Sequence, residues 1–291
     1  MKAFILSLAC VAATAVSAGA QALGTTARQL PAGSLKILAY YQGVQDQTVK
    51  FDAGGSGTCR SQNGAASFFC GGGGDVEAKG SGGAGLVKLV YQPREVLQYY
   101  AAFGAGDYNL DVPSTTYVNR LRGDRPGMVM TAGVKAVLYP DTMVTPAIAA
   151  DLSVSRARYW FNRVRPSDAS VAVSNIDQRL DLTMLQVAVE ASHVFTLRDA
   201  DEKADEKAGL VALKDQGLKL EPYGGVKWLR IQSDLKDLAD GTHGGGQQDT
   251  VTPFLGLRLP LGRSEGLFAE AQFVDGYVYA AGLELRFGKG I

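Results

Sequence analysis

Chemistry at a protein surface needs nucleophiles, general bases or metal ligands within reach of one another, and this 291-residue chain offers only two histidines and three cysteines for the purpose. His193 stands in Ala191-Ser192-His193 late in an alternating stretch, and His243 in the glycine-rich run Gly241 to Gly246. A hydrolytic site would need a serine or carboxylate on the same side as the imidazole. Ser192 points to the opposite face of a strand, so it is no partner for His193. His193 reads as a lumen or interface residue and His243 as a solvated loop residue, and the chain reads as no enzyme. Gly71 to Gly74 and Gly244 to Gly246 lack the strand–loop–helix setting and the Lys-Ser/Thr of a phosphate loop. Asp107, Asp111 and Asp124 share one segment at no known calcium-ligand spacing, so neither a metal nor a cofactor is expected.

The remaining reactive and charged groups point to the cell envelope. Cys59 and Cys70 flank about a dozen residues inside the Gly/Ser-rich segment Asp52 to Gly85, and an even count in an exported protein favours a disulfide. Such a link removes about 3 kcal/mol of chain entropy. Two thiols without a nearby histidine make half a metal site at best. Arg120, Arg122 and Arg125 in one expected outer loop, with Arg156, Arg158, Arg163 and Arg165 in the next, form a basic rim. Two readings stand: contact with lipopolysaccharide phosphates, or ordinary solvated charge.

What must position these groups is read from the patterning. Met1 to Ala20 open on one lysine, run uncharged from Ala3 to Val16 and close on Ala18-Gly19-Ala20, the plan of a signal peptide cut after Ala20 or Ala22, which carries Cys10 away with it. Residues 21–33 form a short N-terminal segment, and 34–291 a single β-domain. Lys plus Arg equals Asp plus Glu at 29 each, so nothing points to nucleic acid. Polar residues interrupt every later apolar run, so a barrel is the one route left for spanning a membrane.

The two-residue period is clearest at the end of the chain. Tyr277, Tyr279, Ala281, Leu283, Leu285 and Phe287 alternate with Val278, Ala280, Gly282, Glu284 and Arg286, and Asp275-Gly276 joins this strand to Leu267–Phe273. Further strands are expected from Ser34 to Phe51, Leu86 to Gln92, Val96 to Asp107, Gly127 to Tyr139, Val144 to Asn162, Arg179 to Leu197, Leu218 to Gln232 and Val251 to Leu261. Within Arg179–Leu197 the phase of Leu180 and Leu182 differs from that of Leu185, Val187 and Val189, which predicts a bulge near Met184. The sum is about ten strands, with eight or twelve open. Long connections (Asp52–Gly85, Tyr108–Pro126, Arg163–Gln178, Ser233–Thr250) alternate with short ones (Pro93–Glu95, Pro140–Met143, Gly262–Gly266). Two connections break that rule: Asp275-Gly276 is short where a long loop is expected, so the last hairpin could instead be one bent strand, and Arg198–Gly217 is long where a short turn is expected, its Ala-Asp-Glu-Lys repeat reading as a short solvated helix.

Three features bear on which face meets lipid. Charges of both signs (Lys36, Lys88, Lys135, Asp151, Glu190, Lys219, Glu221, Lys227, Arg258, Glu270, Glu284, Arg286) lie opposite the apolar faces. Aromatic residues such as Tyr91, Tyr99, Tyr139, Trp160 and Trp228 gather near strand ends, as interfacial girdles do. Small residues such as Ala132, Ala136, Ala150 and Ala281 on the apolar faces suit fluid lipid better than a packed core. The expected fold is all-β: a closed, antiparallel, up-and-down transmembrane β-barrel.

On these residues the chain resembles small outer-membrane β-barrels of Gram-negative bacteria, the opacity-protein-like superfamily. The resemblance implies bacterial outer-membrane localisation, lipid and lipopolysaccharide as surroundings, and the barrel-assembly machinery as partner. It also implies an assembly signal carried by Tyr277, Leu283, Leu285 and Phe287, set back from the terminus by Gly288-Lys289-Gly290-Ile291. The leading expectation for function is a structural or surface-interacting barrel working through long outer loops. A narrow, porin-like pore or small-molecule transporter, and a soluble periplasmic ligand-binding barrel, are the alternatives.

Overall fold

A computed structural model of the chain describes residues 23–24, 26–51, 76–113, 118–167, 173–198, 218–239, 241, 243–261, 264–273 and 276–288. The expected leader, Cys59, Cys70 and the charged insert 199–217 lie outside the described residues. The strands are β1 (Ser34–Phe51), β2 (Val76–Arg94), β3 (Leu97–Pro113), β4 (Val118–Arg122), β5 (Gly127–Tyr139), β6 (Ala147–Pro166), β7 (Ser174–Ser192), β8 (Phe195–Arg198), β9 (Leu218–Asp237), β10 (His243–Pro260), β11 (Glu265–Phe273) and β12 (Tyr277–Phe287). Every pairing is antiparallel, and β12 returns to β1 from Leu35↔Phe287 to Gln45↔Tyr277 to close the ring. Both β4 and β5 pair β3 and β6, so they are two pieces of one wall position, and β7 and β8 likewise share the edge of β9. The ring therefore has ten positions. Closure leaves no unpaired edge to seed aggregation.

The terminal hairpin shows how alternation becomes two surfaces. On β12 Tyr277, Tyr279, Leu283, Leu285 and Phe287 are exposed, while Val278, Ala280 and Glu284 are buried inside. The same outward belt continues through Leu255, Val226, Val189, Leu152, Phe103 and Leu89, all more than a third exposed. A continuous apolar outside with charge inside inverts a soluble barrel and suits lipid. Inward glycines make room for rings: a Cβ at Gly80 would strike Tyr108, one at Gly133 Tyr100, and one at Gly256 Tyr223. Each tyrosine thus lies flat across the inner wall instead of projecting into the lumen.

Several expectations are corrected. The register runs unbroken past Met184, which faces Ser155, and the irregularity lies between Phe161 and Arg163. Leu180, Leu182 and Met184 are buried on the inner face while Val187 and Val189 are exposed outside, so apolar residues occupy both faces without any slip. The strands run further into the expected outer loops than alternation predicts: 76–85, 108–113, 118–122, 163–166, 174–178, 233–237 and 243–250 are all strand. Above a bilayer a strand needs its ladder hydrogen bonds but no apolar outer face, so it continues through polar sequence that alternation alone reads as loop. Arg156 and Arg158 accordingly lie within β6 rather than in a loop. Lys219 is exposed, unlike the other charges grouped with it.

At the end away from the termini β1 outruns its partner. β12 pairs only as far as Gln45, and β1 continues to Phe51. The overhang bends at an irregularity between Val44 and Gln47, where Asp46 takes a φ of 56°, and crosses to the far wall. There Ser233 Oγ donates to Lys50 O at 2.6 Å and Gly246 abuts the Lys50 backbone. The end of β1 thus meets β9 and β10 beyond the short connection between β11 and β12.

Candidate functional site

Two surfaces collect functional groups, the lumen and one stretch of outer wall. In the lumen the charges cluster toward the end holding Ser34 and Phe287: Lys36 early on β1, Lys88 late on β2, Asp151 early on β6, Glu190 late on β7, Glu221 and Lys227 early on β9. Five cations (Lys36, Lys88, Lys135, Lys227, Arg258) face five carboxylates (Asp151, Glu190, Glu221, Glu270, Glu284), none more than 5% exposed. Arg258 forks between Glu221 and Glu284, its Nε donating to Glu284 Oε2 at 2.9 Å, and Lys36 approaches Glu284 at 3.4 Å. Lys227 reaches Glu270 at 2.6 Å, and Lys135 bridges Glu190 and, at 3.9 Å, Asp151. Tyr100 and Tyr223 donate their hydroxyls to Asp151 and Glu270 at 2.7 and 3.2 Å. Charges removed from water persist only when paired or hydrogen-bonded; four of the five cations have a carboxylate within 4.0 Å, and Lys88 instead lies over the Tyr100 ring at 4.0 Å and donates to a backbone carbonyl.

Toward the other mouth the lining turns apolar. Phe51, Leu110, Leu121, Tyr159, Phe161 and Leu180 are fully buried in one cluster, and Tyr108 stacks on Tyr159 with centroids 4.9 Å apart. From the termini end a strap, residues 23–33, enters the lumen. Leu30 N donates to Gln92 Oε1 at 2.7 Å, Gln98 Nε2 to Arg28 O at 3.1 Å, Gly24 N to Glu270 Oε2 at 2.9 Å, and Lys88 Nζ to Leu23 O at 3.0 Å.

The outer surface is different in kind. On β4 Asn119 and Leu121 point inward, which turns Arg120 and Arg122 outward; on β6 Ala157, Tyr159, Phe161 and Val164 point inward, which turns Arg156, Arg158, Arg163 and Arg165 outward. The irregularity next to Asn162 keeps Arg163 and Arg165 on the outer face after the odd residues up to Phe161 have faced inward. Arg125, in the link before β5, lies over the Trp160 ring at 5.8 Å. All seven expected arginines thus share one wall. They form a column rather than a rim, and pairing sets Arg120 opposite Arg165 and Arg122 opposite Arg163. Below them on the same outer face stand Val154 and Leu152, while Met130 and Met128 lie directly opposite Arg156 and Arg158, each of the four about half exposed. The foot of the column thus overlaps the top of the apolar belt.

Some of this charge is answered from within the protein. Asp111 approaches Arg120 at 3.6 Å, and Asp181 takes Arg158 Nε at 2.6 Å and Arg179 Nε at 3.0 Å. Among the described residues Arg122, Arg156, Arg163 and Arg165 have no carboxylate within 4.0 Å. Sequence reasoning missed Arg179 and Asp181, which reach this wall only because β7 pairs β6 with Asp181 facing Arg158. It also missed the His193–Asp141 contact, Nδ1 to Oδ1 at 2.8 Å, made between two turns at the termini end; Ser192 is buried on the inner face and is no partner to it. Tyr277, Leu283, Leu285 and Phe287 stand on the outer face of the strand that closes the ring.

No protein-family model matches the chain, and no curated protein matches it by sequence. Among solved structures it is similar to the translocator domain of the autotransporter NalP from Neisseria meningitidis, 15% identical over 98% of this chain and 97% of that one, with a TM-score of 0.44. It is similar also to the outer membrane protease OmpT from Escherichia coli, 9% identical over 92% and 99% with a TM-score of 0.45, and to the outer membrane protein OprG from Pseudomonas aeruginosa, 10% identical over 90% and 99% with a TM-score of 0.36. The solved structures it resembles are outer-membrane β-barrel proteins, the class to which the sequence pattern pointed. None of their activities passes to this chain at such low identity and structural similarity.

Proposed function

We propose that this chain is a non-conducting barrel of the bacterial outer membrane, structural and surface-interacting in role, which holds lipopolysaccharide by its phosphates on the arginine wall of β4 and β6. The observation that carries this reading is the pairing of Arg120 with Arg165 and Arg122 with Arg163. Like charges set directly opposite destabilise a sheet, and a phosphate shared between two guanidinium forks removes the repulsion through charge-assisted hydrogen bonds. The depth suits the same ligand: acyl chains would lie against Leu152 and Val154, with phosphates at the paired arginines of β4 and β6 above. A lumen closed by paired charges, an apolar cluster and a strap argues against the pore.

The test is the variant Arg122→Gln/Arg156→Gln/Arg163→Gln/Arg165→Gln, which leaves the answered arginines in place. Lipopolysaccharide retained after detergent extraction is compared with that on the native protein, using lipid with and without its phosphates. Each charge-assisted contact is worth about 1.5–3 kcal/mol, so loss of even one productive contact lowers affinity about tenfold or more. Equal retention by both proteins, or equal retention of dephosphorylated lipid, would refute the reading. In planar bilayers the native protein is expected to give no steps; stable single-channel steps would promote the pore.

A further inference from the structure

The arginine column crosses two environments. At its foot Met130 and Met128 face Arg156 and Arg158 across β5 and β6, which puts those two arginines at the edge of the hydrocarbon. The next outward side chain on β6 is Trp160, half-buried, with the Arg125 guanidinium 5.8 Å from its ring centre. Amphipathic rings of this kind settle at the headgroup level. The opposed pairs stand higher: Arg163 and Arg165 follow Arg158 by five and seven residues, with Arg122 and Arg120 facing them. At about 3.3 Å per residue and a strand tilt of about 40°, they lie roughly 13 and 18 Å above the last apolar pair. The interfacial layer outside the hydrocarbon is only about 5–8 Å deep on each side.

We propose, resting on the reading of this wall as a lipopolysaccharide site, that the two opposed pairs bind phosphate carried on the sugar chain of that lipid. The phosphates that flank its acyl chains fall instead to Arg156 and Arg158, nearer the hydrocarbon. The surroundings of the pairs suit a sugar. Arg163 faces Asn175 on β7, and Asn175 is exposed while Ile176 turns inward against the apolar cluster. On the other flank Asn109 of β3 lies on the outer face, because Tyr108 and Leu110 are buried inside. An amide side chain offers both donors and an acceptor, the complement of a sugar hydroxyl. The two pairs are two residues apart on each strand, about 7 Å, so each can hold its own phosphate between two guanidinium forks. Among the described carboxylates Asp111 answers Arg120 at 3.6 Å and leaves the other three to the ligand.

The experiment measures lipid affinity in detergent for the native protein and two variants, Arg122→Gln/Arg163→Gln/Arg165→Gln and Arg156→Gln, each checked for heat-modifiable migration. Three lipids are compared: the acylated, phosphorylated disaccharide alone, lipopolysaccharide with phosphate also on its core sugars, and lipopolysaccharide with phosphate on the disaccharide only. The native protein should hold the second at least tenfold more tightly than the other two. The triple variant should lose that preference and keep its affinity for the disaccharide lipid, whereas Arg156→Gln should weaken all three alike. If the triple variant does not migrate as a folded barrel, Arg163→Gln alone replaces it with the same expectation. An equal loss for all three lipids in the triple variant, or a native protein indifferent to core phosphate, would overturn the proposal while leaving the wall a phosphate site. Native affinity that ignores phosphate altogether would overturn both.

Discussion

Replacing Lys135 with methionine removes the cation that two buried carboxylates share. Lys135 and its partners Glu190 and Asp151 are at most 5% exposed, and the nearer of the two carboxylates bonds it directly while Asp151 lies at 3.9 Å. At about 4 Å and an effective dielectric constant of about 20, a pair of unit charges interacts by about 4 kcal/mol, and breaking one partner out of a buried pair costs about 3–5 kcal/mol because the other charge is stranded. The substitution also leaves four cations against five carboxylates in the layer. Denaturant unfolding in detergent micelles, followed by the fluorescence of Trp160 and Trp228, should therefore show a loss of about 3–5 kcal/mol. Adding Glu190→Gln should restore a large part of that loss, since the stranded charge is then removed as well. The exposed pair Arg230–Asp249, with side chains 40% and 42% exposed, supplies the control; breaking it should cost less than about 1 kcal/mol. If Lys135→Met costs no more than this control, water must screen the layer, and the sealed lumen on which the non-conducting reading rests is wrong.

Further outcomes follow from the walls. Gly133→Val forces a side chain into the Tyr100 ring and disturbs its bond to Asp151, and should destabilise by about 1–3 kcal/mol in the same titration. Leu283→Arg places a charge on the outer face of the closing strand, where Leu283 is 57% exposed, and should cost about 2–4 kcal/mol in lipid bilayers; an unchanged midpoint would mean that this face does not meet hydrocarbon. Lipopolysaccharide retention by the native protein should fall steeply as salt is raised, because the arginine column is exposed and screened, and salt-independent retention would count against phosphate as the ligand.

Much of the barrel was legible because one period carries most of the information. Alternation on β12 identified its outer residues correctly, Asp275-Gly276 marked the real hairpin between β11 and β12, and the inward charges were picked out by parity, Lys219 apart. The seven arginines were legible as a set but were assigned to two outer loops, and that Arg163 and Arg165 share a face with Arg156 and Arg158 depends on the irregularity between Phe161 and Arg163. Where the reading failed, parity had lost its meaning. Leu180, Leu182 and Met184 looked like a phase slip because a lumen apolar at one mouth puts leucine on both faces of the same strand. Polar stretches at the outer ends looked like loops because a ladder above the bilayer places no demand on side-chain type.

What the sequence determined by itself is therefore local and periodic: which residues alternate, and that the strands close as an all-β barrel. Tertiary structure alone decided who meets whom. That Arg122 opposes Arg163, that Asp181 answers Arg158 and that Lys135 holds Glu190 are facts of register between strands. A shift of one residue would turn every side chain on a strand to the other surface. The strap lies further still from any sequence signal, since residues 23–33 carry no period. Their place in the lumen comes from closure of the ring, which leaves Lys88, Gln92, Gln98 and Glu270 needing partners that only a segment inside the barrel can supply.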